Sequence, residues 1–227
     1  MRAALCVSGD FLPSSQAIAT ACEQMLQTET VDVFAFLWAA PGTPEKTIHD
    51  WLTAQTNGRV RIKRWAVEPI RAMNEWTKFA QNHPKHTTEY FEQLSRIEWG
   101  LQAVCQLKCQ QESAVHTDYD IVVHIDSQIS LTAAPAAQLF SSILNDHIVL
   151  GRFDIMPWFP AHGYGVSITS TRNMEVYSSI QTMHRRQYLM RYNNVDISGA
   201  SLKGVLTNHF HHAGLQTCSV IMTRTPP

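Results

Sequence analysis

A carboxylate at the end of an apolar run is the first feature of the sequence that could do chemistry. The run Ile121–Ile125 is rich in β-branched residues, interrupted by His124, and predicts a strand buried on both faces of a parallel sheet. The chain then turns polar at Asp126, Ser127 and Gln128. Open α/β sheets bind ligands beyond the carboxyl ends of their strands, so Asp126 is a candidate binding residue. The alternative is an ordinary solvated turn, in which Asp and Ser are common.

The composition argues against several classes of protein. A formal net charge of -1 and 16% charged residues argue against a nucleic-acid binder that neutralises phosphates. No apolar stretch approaches membrane-spanning length, so no integral membrane segment is predicted. The five cysteines lack paired metal-ligand spacing, and Cys105 and Cys109, one helical turn apart, indicate a packed helix face rather than zinc. We interpret them as reduced thiols and predict a cytoplasmic location.

Strands and helices are predicted to alternate along the chain. The strands are predicted at Ala3–Val7, Val31–Trp38, Val60–Val67, Ile121–Ile125, His147–Leu150, Val166–Ile168 and Cys218–Met222. The helices are predicted at 13–26, 44–55, 87–113, 135–144 and 199–212, with one or two more within 171–192. This alternation predicts an α/β protein with a mainly parallel sheet flanked by helices. No linker divides the chain, so one domain is predicted over residues 1–227.

Three features occur in a characteristic order. An early strand ends at Ser8-Gly9, the strand VDVFAFLW follows at 31–38, and a long helix leads into YDIVVHIDSQISL at 119–131. Together they resemble the GT-A-fold nucleotide-sugar glycosyltransferases and glycosyltransferase-like proteins of bacteria and large viruses. The likeness covers residues 1–131, and the remainder agrees in the order of its elements. It implies a GT-A/Rossmann-like domain with a nucleotide-binding half at 1–131 and an acceptor-side half at 132–227.

The resemblance implies a nucleoside diphosphate sugar as donor and a glycan or lipid-linked molecule as acceptor. Ser8, Gly9 and Asp10 would lie under the base and ribose of the donor, because glycine permits close backbone approach. In place of a metal, the leaving diphosphate would be met by cationic side chains, and the candidates are Arg96 on the helix that leads to the acidic strand, Arg152 after the next strand, and the cluster His209, His211 and His212. The alternative for Ser8, Gly9 and Asp10 is a purely structural role, as a strand-helix turn in which the glycine is needed only for the backbone conformation.

The resemblance also implies a divalent cation, Mn²⁺ or Mg²⁺, which neutralises the diphosphate. Asp126 and Gln128 occupy the place of the Asp-x-Asp motif of the family, and His211 matches a histidine near the C-terminus that supplies a metal ligand in many GT-A enzymes. Gln128 departs from the pattern, because its neutral amide oxygen is a poorer ligand for a hard cation. The motif is therefore degenerate, and the need for a metal stays open.

Transfer with inversion at the sugar requires a general base on the acceptor hydroxyl. Asp196 is the first candidate by its place before the late helix, and Asp154, after the His147 strand, is the second. Asp196 would equally serve as a helix N-cap, and a retaining enzyme needs no such base. The aromatic stretch Trp158–Tyr164 suits either stacking on an acceptor sugar or a packed loop.

The leading prediction from the sequence is therefore a glycosyltransferase. A catalytically inactive GT-A-like protein that binds a nucleotide or sugar is the alternative, because of Gln128. A Rossmann-type enzyme using NAD or a methyl donor is disfavoured, since no G-x-G-x-x-G follows the first strand. A zinc hydrolase is disfavoured because the histidines form no H-E-x-x-H pattern.

Overall fold

The structure is a computed structural model, and it describes residues 2–14, 16, 18–19, 30–56, 60–70, 88–127, 147–153, 166–179, 210 and 213–222. Its strands are β1 (Arg2–Asp10), β2 (Thr30–Ala39), β3 (Arg61–Pro69), β4 (Ile121–Asp126), β5 (His147–Phe153), β6 (Val166–Thr169) and β7 (Gln216–Met222). Its helices are α1 (Glu45–Thr56), α2 (Thr88–Val115) and α3 (Thr171–Ser178). Within these ranges, no helix is both long and apolar enough to cross a membrane.

All seven strands belong to one sheet, in the order β3-β2-β1-β4-β6-β5-β7. Strand β1 pairs in parallel with both β2 and β4, and the pairs β2–β3 and β5–β7 are also parallel. Strand β6 runs antiparallel to both of its neighbours. Every other described strand therefore points the same way. The predicted α/β class, with a mainly parallel sheet flanked by helices, is confirmed.

Strand β1 is buried on both faces, which explains its almost continuous apolar sequence. On one face Leu5 and Val7 join a core that includes Ile48 and Leu52 of α1. On the other face, Cys6 belongs to a second core, to which α2 and α3 contribute. Burial of a Leu or Val side chain contributes about 1.5–3 kcal/mol, so the central strands anchor the sheet.

Helix α2 lies unusually close to the carboxyl end of β1. A Cβ atom at Gly100 would lie 3.2 Å from the Ser8 Cβ and 3.6 Å from Nε1 of Trp38. The Trp38 indole N–H also donates a hydrogen bond of 3.1 Å to the Arg96 carbonyl. Because Gly100 has no side chain, α2 can approach β1 closely, and the hydrogen bond from Trp38 of β2 holds the helix there. These two contacts fix the position of the first half of α2 on the sheet.

The predicted elements agree with the described ones to within a few residues. Helix α2 covers Thr88–Val115 where 87–113 was predicted, and β3 lies at the edge of the sheet, as its alternating sequence indicated. The predicted helix at 135–144 lies outside the described residues, as do most of the helices predicted at 13–26, 171–192 and 199–212.

At the amino-terminal edge of the sheet, a buried ion pair joins α2 to its neighbours. Lys108 is fully buried, and its Nζ lies 2.6 Å from Oε2 of Glu112. The other oxygen of Glu112 accepts the backbone N–H of Tyr119 at 3.0 Å and lies 2.8 Å from the Thr171 hydroxyl. Burial acts to lower the pKa of Lys108, but the hydrogen bond to Glu112 and nearby negative charges outweigh it and raise that pKa. Lys108 is therefore charged, and Glu112 links α2 to β4 and α3.

Removal of one partner of this pair should destabilise the protein strongly. Lys108→Met leaves a buried carboxylate without its cation, so we expect a loss of about 3–5 kcal/mol in the free energy of unfolding. The double variant Lys108→Met/Glu112→Gln should lose less than the sum of the two single variants, because neither charge is left unpaired. Urea unfolding measures all three. Lys46→Met on the exposed face of α1 serves as the control, with an expected change within about 0.5 kcal/mol. Additive losses in the double variant would contradict the coupling.

Candidate functional site

The carboxyl ends of β1 and β4 meet at the point where the strand order reverses. Strands β2 and β3 lie on one side of β1, and β4 lies on its other side. In open α/β sheets, such a switch point opens the crevice in which ligands bind. Ser8 pairs in register with Asp126 across this boundary, so the two polar strand ends identified in the sequence are neighbours.

Gly9 allows the two strand ends to close on each other. Its φ is +127°, and a Cβ atom there would lie 2.5 Å from Oγ of Ser127 and 3.0 Å from Oδ2 of Asp126. Ser127 holds the approach, because its N–H donates to the Ser8 carbonyl at 2.8 Å and its hydroxyl to the Asp10 carbonyl at 2.7 Å. The Asp126 carboxylate therefore lies directly against the backbone of β1, at a position that accepts only glycine.

Two charged side chains at this edge are open to solvent, while the acidic strand end is not. Asp126 is 1% exposed and Ser127 is fully buried. The Asp10 and Arg96 side chains are 27% and 19% exposed, and Asp10 Oδ1 lies 4.0 Å from Arg96 Nε. Because the Arg96 carbonyl accepts the hydrogen bond from Trp38, the guanidinium extends from a part of α2 whose position is fixed. Among the residues that the structure describes at the switch point, the Asp10 carboxylate and the Arg96 guanidinium are thus the partly exposed charges.

A buried histidine supports β1 from beneath the site. His124 Nε2 and the Ser8 hydroxyl are 2.8 Å apart, and both side chains are fully buried. The His124 ring also faces the Tyr177 ring, with centroids 6.1 Å apart. Burial lowers the pKa of His124 to about 3, so the imidazole is neutral. The Ser8 hydroxyl, predicted to face the donor, is engaged inside the protein.

Sequence reasoning missed His124 and Gly100 as parts of this site. His124 was noted only as an interruption of an apolar run, although a single polar residue within such a run already signals a buried hydrogen bond. The signal for Gly100 was a lone glycine inside a long helical pattern, which often marks close packing.

The structure gathers one part of the predicted site and leaves another outside its described residues. The predicted site residues that are described all lie at one edge of the sheet; they are Ser8, Gly9, Asp10, Arg96 and Asp126. Their roles toward a ligand remain predictions. Other candidates lie in ranges that the structure does not describe, so their positions also remain predictions; they are Gln128, Asp154, Asp196 and His211.

Potential metal ligands of the described residues gather at a different place. The group of three found among them is Cys109, Glu112 and Glu175, whose ligand atoms lie within 4.8 Å of one another. Cys109 lies 13 residues beyond Arg96 on α2, which corresponds to about 20 Å along the helix axis. This group therefore cannot serve a ligand at the carboxyl edge. At that edge, no group of three potential ligands among the described residues includes Asp126.

Gly9→Ala should be more destabilising than a glycine substitution that meets no neighbour. Gly42 also has a positive φ, +85°, but a Cβ there would have no atom within 4 Å. Gly42→Ala should therefore lose about 1–2 kcal/mol from backbone strain alone. Gly9→Ala should lose a further 1–3 kcal/mol, roughly, from the collision with Ser127 and Asp126. Urea unfolding of both variants gives the difference, and equal losses would show that the strand ends are not in close contact.

The neutral state of His124 predicts a dependence of stability on pH. The unfolded chain binds a proton at this side chain below pH 6.5, whereas the folded protein does so only near its lowered pKa of about 3. Stability should therefore fall as the pH drops from 6.5 towards 3. Between pH 7 and pH 5 the wild type should lose about 2 kcal/mol more than His124→Gln. Urea unfolding of both proteins at both pH values measures this difference, and the contribution of the histidines that the two proteins share is removed by the comparison. Equal losses of stability in the two proteins would contradict a buried neutral imidazole.

No protein-family model matches the chain, and no curated protein matches it. Its fold is similar to solved structures of glycosyltransferases. The match to GlyE of Streptococcus pneumoniae TIGR4 has 12% identity and a TM-score of 0.45, covering 97% of this chain and 46% of that one. The match to the galactosyltransferase LgtC, solved in complex with donor and acceptor sugar analogs, has 12% identity and a TM-score of 0.47, covering 96% and 73%. The chain thus spans about half the length of GlyE.

Proposed function

We propose that the chain is a glycosyltransferase that binds a nucleoside diphosphate sugar across the carboxyl ends of β1 and β4. The observation that carries this proposal is the contact of Gly9 with Asp126 at the topological switch point, with the Asp10–Arg96 pair beside it. The sugar would pass to a carbohydrate or lipid-linked acceptor. The order of sequence features shared with GT-A proteins supports the same reading.

Each accessible group at this edge suits one part of such a donor. A carboxylate accepts hydrogen bonds from ribose hydroxyls, which is the role we assign to Asp10. A guanidinium matches the paired oxygens of a diphosphate and stabilises the charge that develops when the diphosphate leaves, which is the role we assign to Arg96. At 4.0 Å, the contact between these two side chains is longer than a hydrogen bond. The guanidinium can therefore turn to an incoming phosphate.

A divalent metal remains a separate part of the proposal. Mn²⁺ or Mg²⁺ would take oxygen ligands from Asp126 and Gln128, and His211 would add an imidazole nitrogen to the proposed set. Within the described ranges this set is represented by Asp126 alone, a single carboxylate that is 1% exposed. A single buried carboxylate is not a complete metal site. We therefore assign neutralisation of the diphosphate charge to Arg96 rather than to a metal cation.

The proposed general base is Asp196, with Asp154 as the second candidate. One described feature bears on Asp154, which directly follows the last residue of β5. Because β5 and β4 are both antiparallel to β6, their carboxyl ends lie at the same edge of the sheet. Removal of a proton from the acceptor hydroxyl at that edge would allow its oxygen to attack the anomeric carbon.

Nucleoside diphosphate sugars should stabilise the protein against heat. At a ligand concentration one hundred times its dissociation constant, mass action adds about 2.7 kcal/mol, or roughly 5–10 °C in Tm. Arg96→Gln should weaken binding of the nucleoside diphosphate about 10- to 150-fold, because a hydrogen bond to a charged group is lost, and should leave binding of the nucleoside unchanged. Asp126→Asn should reduce binding of the donor. Thermal shift and calorimetric titration with a panel of nucleotides measure these effects.

Two exposed side chains away from the switch point provide matched controls. Arg172→Gln on α3 and Asp50→Asn on α1 remove the same charges and should leave donor binding unchanged. Release of free sugar or its transfer to an acceptor then tests the enzymatic part. Binding without turnover at any metal concentration would favour the inactive alternative. Absence of binding by every nucleotide sugar would overturn the proposed function.

A further inference from the structure

Strand β3 has an open edge at one end of the sheet. It is the outermost strand next to β2, and within the part of the chain that the structure describes no strand lies on its other side. Every residue of β3 is at least partly exposed, whereas Val31–Ala39 of β2 are all buried. An edge strand presents unpaired backbone N–H and C=O groups, which can pair with a strand of another chain.

Alternate residues of β3 direct their backbone groups away from the sheet. The Ile70 N–H donates to the Ala39 carbonyl of β2 at 2.8 Å. Along a strand that pairs on one side, every second residue bonds to the neighbour, so the even-numbered residues before Ile70 also bond to β2. The N–H and C=O groups of Trp65 and Val67 therefore point outward.

The regular part of this edge is short. The register with β2 shifts between Ile62 and Arg64, which leaves Lys63 as a bulged residue. At the other end, Pro69 is the last residue of β3 and has no N–H to donate. Pairing with another strand is therefore confined to the stretch from Arg64 to Val67 and the residues that directly flank it.

This stretch can pair with a second copy of itself. In a two-fold arrangement of antiparallel strands, facing residues lie on the same face of the sheet, so they are separated by an even number of positions. Trp65 opposite Val67, with Ala66 opposite its own copy, meets this condition. Trp65 and Val67 are also the two residues whose outward groups can exchange hydrogen bonds across the axis.

The charges on β3 favour this register over its neighbours. With Ala66 opposite its own copy, Arg64 of each copy faces Glu68 of the other. Opposite charges at facing positions stabilise a strand pair, whereas an axis through Arg64 would oppose two guanidinium groups. An axis through Trp65 or Val67 would remove the facing of Arg64 and Glu68. We propose that two copies of this chain associate through their β3 strands, in antiparallel pairing centred on Ala66.

The surroundings of Arg64 provide room for a carboxylate from the second copy. Arg64 and Glu68 pair in register with Phe34 and Trp38, so both side chains lie on the face that α2 covers. Arg64 Nε donates to Oε1 of Gln111 at 3.2 Å, which holds the guanidinium while its other N–H groups can bind a carboxylate. Arg64 also lines an open surface depression of about 680 Å³ together with residues of α2. The facing Glu68 would lie at the rim of this depression.

Reversal of the two charges tests the register. We expect the wild type to dimerise in sedimentation velocity experiments over a concentration series. Arg64→Glu and Glu68→Arg each convert both opposite-charge contacts of the dimer into like-charge contacts, so each should raise the dissociation constant at least about tenfold. The double variant restores both contacts with exchanged signs and should return to within about threefold of the wild type. Arg172→Glu makes the same charge change on the exposed face of α3 and should leave dimerisation unchanged.

A disulfide across the axis tests the same pairing without any change of charge. Facing residues in an antiparallel pair have Cβ atoms about 4.5–5.5 Å apart, close to the span of a disulfide. Ala66→Cys should therefore give a covalent dimer under mild oxidation on a non-reducing gel. Arg61→Cys lies on the same strand, but no residue of β3 faces it in this register, so it should stay monomeric on the gel. The wild type gives the background from its own five cysteines.

Three results would overturn the proposal. A wild type that stays monomeric at every concentration would show that the edge has another occupant or none. Dimerisation that both charge reversals leave unchanged would place the interface elsewhere. Equal cross-linking of Ala66→Cys and Arg61→Cys would exclude the register, and this comparison stands even if a charge-reversal variant fails to fold. None of these measurements depends on a nucleotide sugar, so their outcome is independent of the proposed function.

Discussion

The close contact between the ends of β1 and β4 depends on the missing side chain at Gly9. Any Cβ atom there would push away Ser127 and Asp126, which lie within 2.5–3.1 Å of its position. With glycine in place, Ser127 bonds to both flanking carbonyls of β1, and the carboxylate is held against the strand. The position of the acidic group at the switch point is thus set by backbone geometry, and Arg96 is brought to the same edge by α2.

The two faces of the sheet differ in how they support this edge. The face covered by α1 is an apolar core, whereas the face under α2 and α3 contains a polar layer just below the strand ends. The Ser8 hydroxyl and His124 Nε2 form a hydrogen bond there, the Tyr177 ring of α3 lies against the imidazole, and His124 Nδ1 has no hydrogen-bond partner among the described residues. The Ser8–His124 hydrogen bond joins β1 to β4 in a buried, low-dielectric environment, where such a bond is strengthened. It therefore makes the strand ends rigid where a ligand needs fixed partners.

Much of the fold could be predicted because buried parallel strands carry long apolar runs. Val31–Trp38 and Ile121–Ile125 are of this kind, and both were predicted almost to their ends. The direction of β6 was not predictable, since the pattern of Val166–Thr169 is the same for a parallel and an antiparallel strand. The burial of Lys108 was equally hidden, because lysine is almost never buried and its i,i+4 spacing to Glu112 on α2 is also typical of a solvent-exposed pair. For the site, the sequence indicated which strand ends matter, but not that Asp126 would be enclosed while Asp10 and Arg96 stay accessible.

The reversed direction of β6 has a consequence for how this protein can diversify. Strand β5 ends and β6 begins at the carboxyl edge, and the two are neighbours in the sheet. The chain between Phe153 and Val166 therefore leaves and re-enters the sheet on the same side, between adjacent anchor points. Each doubling of the length of such a connection adds only about 0.6 kcal/mol to the entropic cost of closing it. Insertions and deletions there would be tolerated by the sheet, so evolution can reshape the surroundings of the switch point without rebuilding the strands beneath it.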